Sequence, residues 1–413
     1  MKNTGRKLLC IILSLTVIVC FTGCTKTAGG EKSATETQLN LALREGTYSE
    51  VVKKGVTSFE EKYGITCNIF EYSETDLHDI VVGDKKSEDI DLYMVDGSWV
   101  AECVSKDRLL CLDDYGYSLD SDIISATTTI SYMNKHLYVA PYFGNVTVLL
   151  YNKEALEETG YEESRLTSMD RLLRVCEKSK GNGRLGFLYR GDTNNNLVVD
   201  FLPILLSFGG WVIDEEGNPI VTSEEFQNAF LFYLDLIETG QAMEKEKLIQ
   251  TLEDGEGTMA VGWPGWYSPT DLSPVQYCAI QGRAHESTVT YNAGVYGIWT
   301  LGISSGSKEA EHAIELLKYL MSEEVQRESV VYGGVPCRYS CLGDEDVIKS
   351  HPEFEAVCNA LESGKYRPIL AEWNDFCDIL GEQMNRSIQG ECEPVEALEE
   401  AQQQLEKLLK TKS

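Results

Sequence analysis

Beyond residue 38 the chain alternates between short apolar runs and apolar residues at helical spacing. Residues 39–43 read as a strand. Val52, Val56, Phe59 and Tyr63 then fall on one face of a helix that Ser49 can cap and Gly64 stops. Residues 66–70 and 91–95 are two more strands, the latter running into Asp96-Gly97-Ser98-Trp99. Strand, helix, strand in succession predicts a parallel sheet. Strands at 137–141 and 148–151 follow, with a crossover between two bodies expected near Tyr142-Phe143-Gly144-Asn145. The second body is expected to hold helices at 168–180, 197–208 and 223–239 and a strand at 185–188. A strand at 295–301 returns to the first body, and helices at 308–321, 322–331, 372–389 and 394–408 complete the pattern. A chain of 413 residues is long for one hydrophobic core, so an α/β fold of two lobes is expected. The first lobe takes 39–145 with 293–338, and the second 146–292 with 339–413.

The stretch from Thr258 to Tyr267 is the most informative. Residues 258–262 are small or apolar and form a buried strand, which Pro264 and Gly265 end in a turn. Trp263, Trp266 and Tyr267 therefore sit at a strand end, where α/β proteins place ligands. An indole face suits the C–H face of a sugar ring, while its polar edge still hydrogen-bonds. The plainer reading is that these rings fill the seam between two lobes. Other predicted strand ends supply the planar polar groups that grip vicinal hydroxyls: Arg44 with Glu45, Asp96 with Trp99, Tyr142 with Asn145, and Arg190 with Asp192. Asp96, Asn145, Arg190 and Asp192 are expected to bond hydroxyls while Trp263 and Trp266 stack. Arg190 would equally suit a carboxylate on an acidic sugar. Trp299 and Trp373 fit either a cleft or a core. Arg338, in the glycine-rich stretch after a helix, either approaches the cleft or belongs to a plain helix stop.

Charge and cysteines narrow the setting. The 66 acidic and 36 basic residues leave a formal charge of -30, which repels nucleic-acid phosphates and anionic lipid surfaces. Lys2, Arg6 and Lys7 precede an apolar run at 8–21 that closes in Phe21-Thr22-Gly23-Cys24. This is the pattern of a bacterial lipoprotein signal, so residues 1–23 are expected to be cleaved and Cys24 lipidated, with 24–38 a flexible tether. The ten cysteines beyond Cys24 are scattered and read mostly as small buried hydrophobes, with room for one or two disulfides. Asp192-x-Asn194-x-Asn196 imitates the start of a calcium loop, but Leu197 stands where glycine is required and Pro203 where an acid is required. The five histidines are dispersed, and no GxSxG, HExxH or phosphate-loop pattern occurs.

Several stretches together resemble extracellular solute-binding protein family 1, the maltose-binding-like receptors of ABC importers. They are the lipoprotein signal, Asp91 to Trp99, Tyr138-Val139-Ala140-Pro141-Tyr142 with Leu149-Leu150-Tyr151-Asn152-Lys153, Glu256 to Trp263, and Gly390 to Leu398. The resemblance implies a two-lobe, periplasmic-binding-protein-like fold of type II with a ligand cleft between lobes. It also implies hinge closure on a sugar or oligosaccharide and docking on permease subunits, by a monomer held outside the cytoplasm through its lipid. No enzyme, cofactor, metal or nucleic acid is expected. The alternatives are a secreted carbohydrate-active enzyme, with two carboxylates flanking a sugar, or a ligand-sensing subunit for a membrane kinase.

Overall fold

The computed structural model describes residues 37–83, 89–267, 269, 272–282, 293–351 and 353–410. The expected signal segment, the lipidation site Cys24 and the tether up to Glu36 lie outside the described residues. Among the described residues no helix is long and apolar enough to cross a membrane.

Among the described residues fourteen strands follow one another. They are β1 (Gln38–Arg44), β2 (Thr66–Tyr72), β3 (Leu92–Asp96), the short hairpin β4 (Tyr132–Met133) and β5 (His136–Leu137), β6 (Val139–Phe143) and β7 (Val148–Asn152). Then come β8 (Leu185–Tyr189), β9 (Gln241–Ala242), β10 (Gly257–Gly262), β11 (Val275–Cys278), β12 (Val295–Tyr296), β13 (Trp299–Ile303) and β14 (Lys365–Tyr366). One five-stranded sheet has the order β2-β1-β3-β13-β6 and the other β11-β7-β10-β8-β9. Helices pack on both sheets, giving two α/β lobes.

The central strands β3 and β10 are buried along their whole length, so their sequences run apolar or small without alternation. The first sheet is mixed, whereas parallel pairing was expected. β1 lies parallel to β2 and β3, but β13 is antiparallel to both β3 and β6. It arrives from the other lobe and so enters in the opposite sense. The single strand expected at 295–301 is broken at Gly297-Ile298, where a Cβ on Gly297 would lie 2.4 Å from Cζ3 of Trp263.

The lobes are joined by crossing segments that hold one another. Gly297 N–H donates to Asn145 O at 2.9 Å and Thr147 N–H to Val295 O at 3.0 Å. β14 pairs with β12 in parallel, which brings a third segment alongside. The helix Phe354–Ser363 packs on both β7 and β11, and Leu342, Phe354, Val357 and Leu361 join the core of the first sheet. The helix Trp373–Ile388 packs instead on the helix Asn194–Ser207 in the second lobe, with Trp373 buried and stacked on Phe376. All ten described cysteines are free thiols, six of them buried.

Candidate functional site

The carboxyl ends of β1, β3, β8 and β10 meet at one gap between the sheets, because parallel strands on each side point the same way. The gap has an inner chamber of about 140 Å³. Through Arg44, Glu74, Arg190, Lys245 and Trp266 the chamber is continuous with a mouth of about 580 Å³. The mouth alone falls in the roughly 300–1,000 Å³ span of small-ligand sites.

Asp96 ends β3 and is buried. Its Oδ1 accepts Ser98 N–H at 2.8 Å, Ser98 Oγ–H at 2.7 Å and Arg367 Nη2–H at 2.5 Å. Arg367 also donates from Nε to Tyr296 O at 3.1 Å, so the third crossing segment neutralises the strand-end carboxylate. Gly97 permits this turn: a Cβ there would come within 2.6 Å of Ile130 and 3.1 Å of the Ile298 carbonyl. Asn145, on the first crossing segment, reaches both lobes. Its Nδ2 donates to the Tyr48 phenol at 3.2 Å, and its Oδ1 accepts Gly265 N–H at 3.4 Å. Burial pushes the Tyr48 hydroxyl well above its ordinary pKa, so it stays protonated.

From the second lobe, Arg190 follows β8. Its Nε and Nη2 donate to the two oxygens of Asp200 at 3.0 and 2.5 Å, and Nη1 donates to Asn196 Oδ1 at 2.7 Å. Its guanidinium lies over Trp266, 4.6 Å from the ring centroid. One face of Trp266 is thus taken by a cation that is itself held in place, and Trp266 remains only partly buried. Trp263 is buried against Gly297 with its edge at the chamber. Trp99 and Trp299 meet edge to face at 5.4 Å, the former lining the mouth and the latter the chamber. At the mouth, His78 Nε2 of the first lobe lies 2.9 Å from Glu102 Oε2 and 2.8 Å from Asn374 Nδ2 of the second.

A family pattern described as bacterial extracellular solute-binding protein matches residues 54–356. The chain belongs to this family. Relatives and solved structures agree with the fold of this solute-binding protein. The probable amino-acid ABC transporter periplasmic-binding protein y4oP of Sinorhizobium fredii is 25% identical over 63% of this chain and 60% of its own length. The solute-binding protein therefore spans about three fifths of that relative. The maltose-bound MalE3 structure from T. maritima is 25% identical, with a TM-score of 0.80 over 90% of this chain and 100% of that one. A solute-binding protein of Agrobacterium radiobacter K84 in complex with ribitol is 22% identical, with a TM-score of 0.78 over 90% of this chain and 98% of that one.

Of the residues singled out in the sequence, the solute-binding protein brings Arg44, Glu45, Asp96, Asn145, Arg190, Trp263, Trp266 and Trp299 to the chamber, and Trp99 and Asp192 to the mouth. Three lie elsewhere. Tyr142 is wholly buried in β6, on the core side of a strand-end pair of which only Asn145 reaches the gap. Tyr267 is absent from the lining of both spaces and interacts with Ser273 and Glu253. Arg338 is buried away from the gap, donating to Asp120 and Asp122 at 3.1 and 2.9 Å and to the Met321 carbonyl. Asp192 accepts the Asn196 side-chain amide, and Thr193 caps the helix Asn194–Ser207, so the calcium-like spacing is a helix start. Sequence reading missed Tyr48, Glu74, Asn195, Asn196, Lys245, Gly265 and Arg367. Asn196 and Gly265 stood within stretches already singled out, but nothing local marks Arg367, whose role depends on a crossing 271 residues away from Asp96.

Proposed function

We propose that this solute-binding protein captures a neutral polyhydroxylated solute, a sugar or sugar alcohol, and passes it unchanged to the permease subunits of an ABC importer. The observation that carries this reading is the strand-end carboxylate. Among the described residues every hydrogen bond to the Asp96 carboxylate falls on Oδ1, leaving Oδ2 for a ligand hydroxyl at the wall of the chamber. Nearby stand the Tyr48 phenol and the open side of Trp266, a polar grip beside an aromatic platform.

The charge pattern favours a neutral ligand over an amino acid or a sugar acid. A carboxylate ligand needs a free cation, yet Arg44 is paired with Glu45, Arg190 with Asp200, Arg367 with Asp96 and Lys245 with Glu246. Glu74 and Asp192 add further negative charge at the opening. The ligand would bridge the lobes and favour their closure about the paired crossing segments. In this reading the chain is a monomer anchored by lipid on Cys24, and it performs no catalysis. A thermal-shift panel of neutral sugars, sugar alcohols, sugar acids and amino acids tests it. A ligand at a hundred times its Kd should add about 2.7 kcal/mol of stability. Stabilisation confined to amino acids or sugar acids, or cleavage of a stabilising sugar, would reject it.

A further inference from the structure

Far along the first sheet from the cleft, three chemically different side chains converge on one point. Cys111 Sγ lies 3.8 Å from Asp113 Oδ2, His136 Nδ1 lies 3.1 Å from the same oxygen, and the three ligand atoms all fall within 4.8 Å of one another. The function described above uses none of them. We propose that Cys111, Asp113 and His136 form a binding site for one zinc-class divalent ion, with the fourth position left to water.

The backbone prepares the cluster. Cys111 and Asp113 flank Leu112, which is fully buried and opens the short 3-10 turn Leu112–Tyr115, and the turn brings their side chains within 3.8 Å of each other. His136 precedes Leu137, also buried, at the start of β5. Between β4 and β5 the hairpin turns through Asn134 and Lys135, with φ of 52° and 70°. This is the two-residue turn whose positive φ values match strand twist, and it fixes the register that presents His136. Leu137 N–H donates to Asp113 Oδ2 at 3.2 Å, tying the two segments together beside the ligand atoms.

The donor set and spacing suit one class of ion. Thiolate, imidazole and carboxylate together favour borderline metals of the zinc type over calcium or magnesium, which take oxygen. Metal–ligand bonds of about 2.0–2.3 Å in a tetrahedron place ligand atoms roughly 3.3–3.6 Å apart. The observed 3.1 and 3.8 Å lie on either side of that range and the third pair lies within 4.8 Å, so closing on an ion calls for side-chain rotation at Cys111 and His136. Both Asp113 and His136 side chains are near half exposed, so an ion has open access.

Cobalt(II) tests the assignment, because thiolate-bound tetrahedral cobalt absorbs in the near ultraviolet and strongly in the visible. The full chain, stripped with chelator, is titrated with Co(II), and zinc is then added as competitor. The expected result is a saturable one-to-one signal that zinc displaces. Cys111→Ser should abolish the charge-transfer band. His136→Ala should weaken binding by at least the roughly 10- to 100-fold that losing even an outer-shell partner costs. Circular dichroism and sugar binding should be unchanged in both, since neither residue lines the cleft. No saturable band, or a band that survives in Cys111→Ser, overturns the proposal.

Discussion

Gly265→Ala probes the contact between the lobes with a single methyl group. Gly265 belongs to the turn after β10 in the second lobe, and Tyr48 to the first turn of the helix Thr47–Tyr63 in the first lobe. A Cβ on Gly265 would lie 2.7, 2.9 and 3.0 Å from Oη, Cζ and Cε1 of Tyr48. The ring cannot retreat freely, because it packs edge-on against Phe143 at 4.8 Å and tilted against Trp299 at 5.4 Å. Overpacking of this kind costs about 1–3 kcal/mol. If the lobes separate in the open form, that cost falls on the closed form alone. Ligand affinity should then drop by about 5- to 150-fold while the ligand-free protein keeps its stability. Titration calorimetry with a sugar found in the thermal panel gives the first quantity, and urea unfolding without ligand the second. An unchanged Kd with a lowered unfolding midpoint would show that Tyr48 and Gly265 touch in both forms, which would refute closure at this contact.

Two further predictions concern buried charge. Arg367→Met strands the Asp96 carboxylate with only the Ser98 groups, so unfolding free energy should fall by about 3 kcal/mol, the lower end for breaking a buried pair. A loss under about 1 kcal/mol in urea titrations would mean that Ser98 suffices. At Arg338, the Asp120 carboxyl is held below its ordinary range by the Asp122 backbone N–H and then by Arg338. Burial pushes Asp122 upward, but hydrogen bonds from Ser340 and Arg338 outweigh it and leave it lowered as well. Lowered native values mean that this stabilisation is complete above the unfolded pKa of about 3.9 and is lost as pH falls through the native values. Arg338→Gln should therefore be less stable than wild type at neutral pH, and the gap should narrow in strong acid to what the bonds from Arg338 to the Met321 carbonyl contribute, whereas a gap constant with pH would contradict the assignment.

Much of the architecture was readable because it rests on local patterns. The helix ending at Gly64 has that residue in the left-handed conformation at its C-cap, and the strand before Trp263 is buried throughout. Strand ends point to the gap by topology, which is why Arg44, Asp96, Arg190 and Trp263 gather there. What the sequence hides is partnership over distance. The direction of β13 and the meeting of Arg367 with Asp96 depend on how crossing segments return, and no local spacing encodes that. Polarity alone also misled. Arg338 and Tyr142 carry ligand-like groups, but one serves an ion-pair cluster and the other a strand core. Arg190 illustrates a third limit: its place at the cleft follows from β8, but its commitment to Asp200, Asn196 and Trp266 appears only in three dimensions.

Capture of an intact sugar in the cleft is tested by calorimetric titration of wild type, Asp96→Ala and Trp266→Ala with one stabilising neutral sugar, followed by chromatography of the recovered ligand. One saturable site is expected in wild type, with binding weakened by about tenfold or more in each variant, on the scale of truncating a binding anchor, and the sugar should be recovered intact. Equal affinity in all three proteins, or a sugar recovered as fragments, would contradict it.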